Sequence, residues 1–191
     1  MNKPATIGLL ALLALIIIFG KFHNQMFPRH AGSGSSRVTV RVPANWIYSK
    51  GTEDYAFQLI IPGKRLAEPA GFITAKSIPG ADLKGYVAQN TENKGKTAKK
   101  DYREKTAEDL WLCTYTAKDK NKEARAAEYV IAAPGCLWHL VGVFDESWFR
   151  DHGGTAQDFV KGFARENLGV EIPSLPEQTR QPAADTPEER K

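Results

Sequence analysis

The chain holds few side chains of the kinds that carry covalent or metal chemistry. Cys113 and Cys136 are its two cysteines, and in an exported protein they are candidates for a disulfide. Its histidines are His23, His30, His139 and His152. His152 follows Asp151 and lies close in sequence to Asp145 and Glu146, a grouping that could ligate a divalent cation. No HExxH, CxxC or EF-hand spacing accompanies it, so a solvated turn is expected and no metal is assigned. Gly153-Gly154-Thr155 opens an expected helix whose free N–H groups could hold an anion, but there is no G-x-x-x-x-G-K-[ST] loop. Ser49, Ser77 and Ser147 lie in no G-x-S-x-G elbow. The residue types therefore predict no enzyme, no cofactor and no small-molecule substrate. A small hydrolase or metal-dependent enzyme is the least favoured alternative.

Charge is the clearest surface feature. Lys94, Lys96, Lys99, Lys100, Arg103 and Lys105 crowd one segment, and Lys118, Lys120, Lys122 and Arg125 crowd another. Such density favours solvated loops. As a functional feature it suits an acidic protein or anionic headgroups. Aromatic residues do not interleave with these lysines, so no nucleic acid is expected. The candidate partner-binding residues are Lys96, Lys99, Lys100, Arg103, Lys105, Lys120 and Lys122, joined by Trp148 and Phe149 as an apolar hot spot.

Three parts position these residues. Residues 7–19 read IGLLALLALIIIF, a helix of ~20 Å against a bilayer core of ~30 Å. Extending it over 5–22 reaches ~27 Å, with Lys21 stretching to the headgroups. No small-residue cleavage pattern and no lipidation cysteine follow. An uncleaved anchor over 1–22 is expected in preference to a removed signal. Lys21, Arg29 and Arg37 after the run favour a cytoplasmic domain by the positive-inside rule. The short amino tail resembles a signal-anchor, which exports the domain on its carboxyl side. The expectation is a single-pass inner-membrane protein with its domain outside the cytoplasm. Residues 23–36, ending in AGSGSS, are a flexible linker by composition, and 171–191 are a disordered proline-rich tail.

The middle part, 37–170, is one domain. A content of 42% hydrophobic residues excludes a wholly disordered chain. Alternation predicts strands over 37–43, 55–61 and 71–78. Helical spacing succeeds them over 82–92, with Asp82 as N-cap. Residues 93–107 read as a loop with a ragged strand around Tyr102. Strands over 110–116, 124–132 and 137–144 have short joins, so they form an antiparallel meander. A helix over 155–168 carries a capping box of Thr155 and Asp158 and closes at Gly169. This order predicts an α+β domain, an antiparallel β-sheet covered by helices.

The meander tests the disulfide. Centring its hairpins on Lys120 and on Pro134-Gly135 leaves Cys113 about six residues along from Cys136, ~20 Å, and two strands away. A disulfide needs Cα atoms within ~7 Å. Both cysteines are therefore expected free, with Cys113 packed as a small hydrophobe. His139 shares a strand face with Leu137, Val141 and Val143, and is expected to be partly buried and satisfied.

The strand running into VPANW at 42–46, the aromatic strand at 138–144, the acidic and aromatic turn at 145–149 and the helix bearing Phe159 and Phe163 resemble the PsbP-like and Mog-like α/β/α sandwich. That family includes the PsbP subunit of photosystem II, the Ran-binding Mog proteins, DcrB-like envelope lipoproteins and type VI effector-associated chaperones. The resemblance implies a fold that binds proteins and has no common catalytic set. Unlike the envelope lipoproteins, this chain has no lipidation cysteine. The combined expectation is a membrane-tethered, non-enzymatic domain that binds an unknown protein partner and meets the bilayer through its amino-terminal helix. A cytoplasm-facing secretion-effector chaperone or adaptor is the runner-up.

Overall fold

The computed structural model describes residues 28–63, 68–93, 100–119 and 122–173. The expected anchor over 1–22 and nearly all of the expected tail lie outside them. In chain order the elements are β1 (Arg29–Ala31), β2 (Val38–Val40), β3 (Ile47–Lys50), β4 (Phe57–Pro62), β5 (Pro69–Pro79), α1 (Leu83–Asn93), β6 (Lys100–Ala107), β7 (Leu110–Asp119), β8 (Lys122–Ala133), β9 (Cys136–Asp145) and α2 (Glu146–Leu168). A single-turn 3-10 helix, Gly34–Ser36, joins β1 to β2. Strands β3 to β9 form one seven-stranded sheet in the order β3-β4-β5-β9-β8-β7-β6, antiparallel throughout.

The meander over β7, β8 and β9 forms as expected. Leu110 pairs with Ile131, and Ala124 with Asp145. Residues at β8 and β9 are buried on both faces because each face has a cover. One face meets α2 through Trp138, Leu140, Tyr129, Phe159 and Phe163. The other packs Trp111, Cys113, Val130 and Leu137 beneath Leu83, Tyr86 and Val87 of α1. The two helices thus lie on opposite faces of the sheet. Helix α1 starts as Asp82 predicts, its Oδ1 accepting the Gly85 N–H at 2.7 Å.

Five expectations differ. The strand over 37–43 shrinks to β2 and leaves the main sheet to pair with β1. The chain then turns, with the Trp46 N–H donating to the Pro43 carbonyl and Asn45 at φ 66°. Strand β3, absent from the sequence reading, takes the sheet edge. Residues 29–36, expected within the linker, are β1 and the 3-10 turn, with Ala31 5% exposed in the core. Residues 100–107, expected as mostly loop, are the edge strand β6, because β7 offers them a backbone ladder that propensity could not reveal. Helix α2 begins at Glu146, with Asp145 as N-cap, so Thr155 and Asp158 lie inside it and form no capping box. Glycines normally weaken a helix interior, but the Phe149 ring lies where a Gly153 side chain would start, 3.2 Å from an ideal Cβ. Gly169, at φ 71°, closes α2 as expected.

Candidate functional site

The sheet face under α1 contains a chain of polar side chains inside an apolar layer. Glu128 on β8 is 1% exposed. The Tyr115 hydroxyl on β7 donates to its Oε1 at 2.7 Å. His139 Nε2 on β9 lies 3.4 Å from its Oε2, a long contact. His139 Nδ1 is 2.9 Å from the Tyr86 hydroxyl on α1. Four elements therefore converge, since β7, β8 and β9 are adjacent and α1 crosses them.

The phenols decide what this array can do. Burial first, then the Glu128 carboxylate, push Tyr86 above the ordinary phenol value, with Asn90 pulling slightly the other way. Burial, the hydrogen bond to Glu128 and its charge push Tyr115 up as well. Both phenols stay protonated at neutral pH. The Tyr86 hydroxyl and His139 Nδ1 share one hydrogen bond, while Nε2 faces Glu128 without a hydrogen bond of its own. A phenol held above its ordinary value is the opposite of an activated nucleophile. The array is suited to locking α1 onto the sheet.

Helix α1 is about 16 Å long and packs on β7 and β8. The rest of that face has a different character. One rung of the sheet runs Ile47, Ile60, Phe72, Val143, Ala126, Tyr115, each directly opposite the next. Ile47 is 53% exposed, and Ile60, Phe72 and Val143 are half-buried. Among the described residues no helix lies over this end. The row is thus apolar and partly open to solvent across adjacent strands.

The expected partner residues disperse. Lys96, Lys99 and Lys120 lie outside the described residues. Lys100 and Lys122 sit on β6 and β8, and Arg103 and Lys105 are exposed on β6. Arg125 leaves the basic cluster: it is 7% exposed, pairs with Glu146 at 3.3 Å and lies 6.0 Å over the Phe149 ring. Trp148 and Phe149 are half-buried and packed against the core. Trp148 stacks on Phe144 at 5.4 Å, Phe149 packs on Phe144 at 5.5 Å, and Trp46 abuts Trp148 at 6.3 Å. The helix starts earlier than expected and turns both residues inward.

His152 packs its ring 5.5 Å from Trp148, and Asp151 meets Arg150 at 3.5 Å. Among the described residues no three His, Cys, Asp or Glu side chains converge as metal ligands. Cys113 and Cys136 are free and buried, and pack on opposite faces of the sheet. A cavity of about 10 Å³ under α2, lined by Ile73, Tyr129, Leu140, Phe144 and Val160, has room for roughly one water. It lies on the face opposite the polar array. The sequence reading did not assemble Glu128, Tyr115 and Tyr86 around His139. The meander register carried the signal, since it sets Glu128 opposite Val141, two residues along β9 from His139 and on the same face.

No protein-family model matches the chain, and no curated protein matches it. Solved structures do. A protein of unknown function from Pseudomonas aeruginosa has 12% identity and a TM-score of 0.43, covering 77% of this chain and 99% of its own. LpqN, involved in cell envelope biogenesis of Mycobacterium tuberculosis, has 17% identity and a TM-score of 0.49, covering 75% and 87%. A cyanobacterial PsbP from Synechocystis has 13% identity and a TM-score of 0.40, covering 73% and 90%. None of these likenesses assigns a role to a residue of this chain.

Proposed function

We propose that the chain is a non-enzymatic interaction domain, tethered to a membrane by residues 7–19, which binds a protein partner through the open half of its sheet. The observation that carries this is the row Ile47, Ile60, Phe72 and Val143, apolar and left uncovered by α1. An amphipathic segment laid beside α1 would complete the helical layer on that face.

The test places a photo-crosslinking residue at position 47 of the full chain in its native membrane. One discrete protein adduct, lost in Phe72→Ser and kept in Glu108→Ser, is the expected result. Adducts indifferent to Phe72→Ser, or none at all, would overturn the proposal. Thermal unfolding of Phe72→Ser, run alongside, distinguishes a lost surface from a lost fold.

A further inference from the structure

The apolar leader and the folded body meet at a ribbon with a basic outer face. No Asp or Glu precedes Glu53, whereas Lys3, Lys21, Arg29, Arg37, Arg41 and Lys50 do. Strand β2 and its flanks turn Val38, Val40 and Val42 into the core, leaving Arg37 and Arg41 exposed on either side of Thr39. His30, opposite Thr39 on β1, is exposed beside them.

This ribbon is fixed to the body. The Thr39 N–H donates to Asn167 Oδ1 at 2.7 Å, and Asn167 Nδ2 donates to the Thr39 carbonyl at 2.9 Å. The Tyr48 hydroxyl reaches the His30 carbonyl at 3.5 Å. Arg41 meets Glu166 at 2.8 Å, yet its side chain is 67% exposed. The guanidinium therefore remains open to a second anion.

Distance selects that anion. From Phe19 to Pro28 the chain spans at most about 30 Å when fully extended. A leader in a bilayer therefore keeps Arg37 and Arg41 within tether reach of the headgroups. Strand β6, with Arg103 and Lys105, is at the opposite sheet edge from β3, six strand spacings or roughly 29 Å away. With the ribbon at the surface, that edge lies well beyond the screening length of about 10 Å. Resting on the reading that residues 7–19 enter a membrane, we infer that the arginine face of the β1–β2 ribbon docks on anionic lipid headgroups. The docking orients the domain with β6 pointing away from the bilayer.

The test measures flotation of the full chain with two kinds of vesicle, phosphatidylcholine alone and phosphatidylcholine with phosphatidylglycerol. Binding to the neutral vesicles reports the leader, and its failure removes the tether alone. The ratio of anionic to neutral partitioning reports the ribbon. Each basic residue near such a surface contributes about fivefold, so Arg37→Gln with Arg41→Gln should lower the ratio by roughly twentyfold at low salt. In wild type the ratio should also collapse at high salt. An unchanged ratio in the double variant would overturn the inference. So would an equal loss from Arg103→Gln with Lys105→Gln on the distal edge. If the double variant unfolds, Arg37→Gln alone, outside the Glu166 pair, should still lose about fivefold.

Discussion

Glu128 shows how much depends on single donors inside this sheet. A buried carboxyl that loses a donor is left under-solvated, at a cost of about 1–3 kcal/mol. Tyr115→Phe removes such a donor and should destabilise by that amount in urea denaturation. Tyr86→Phe removes only the hydroxyl facing His139 and should cost about 1 kcal/mol. An equal effect of the two would contradict the arrangement. Alkali should act on the same groups. Folding holds Tyr115, Tyr102 and Tyr129 above the ordinary phenol value near 10, so the folded chain keeps protons that the unfolded chain releases. This stabilisation is fully present below about pH 10 and is lost as pH rises beyond it. Phenolate absorbance should therefore appear together with unfolding above pH 10. At this scale the sequence was only partly legible. Alternation placed His139 on its face, but Tyr86 comes from a helix whose crossing point no local pattern states.

Asn167 is the corresponding detail at the scale of elements. Its amide pairs with both backbone groups of Thr39, and Nδ2 also donates to the Phe163 carbonyl at 3.0 Å. It thereby acts as a short strand at the end of α2. Asn167→Ala should release the β1–β2 ribbon and cost about 1–3 kcal/mol. Hydrogen exchange should show the Thr39 amide losing protection while the β8 and β9 amides keep theirs. Uniform loss would mean that ribbon and sheet unfold as one unit. Elements with strong periodicity, β4, β5, β7, β8, β9 and α1, were readable because their apolar spacing matched one period. Strand β6 was not, because KDYREKTA alternates weakly and its pairing partner β7 determines its conformation.

At the scale of the whole fold, the described residues form a main sheet with two unlike edges and two unlike helical covers. Arg103 and Lys105 on β6 would obstruct another chain from adding to that edge. Replacing both by Val should leave the fold intact and drive concentration-dependent association, visible by light scattering. A monodisperse variant would assign those charges another purpose. The other face is closed by α1 at one end and open along the row from Ile47, which is where a partner is proposed to dock.

By itself the sequence determined the class of this protein. Binary patterning, turn residues and the short joins of the meander specify an antiparallel sheet with helices, because those signals are local and each strand reports its own buried face. The same register correctly predicted two free cysteines. Only the tertiary structure decided that Trp148 and Phe149 turn inward, that Arg125 is buried against Glu146, and that the ribbon leaves the main sheet to grip α2. Those outcomes depend on which surfaces meet across the fold, and burial is a property of both partners in a contact, of which a linear pattern shows one at a time.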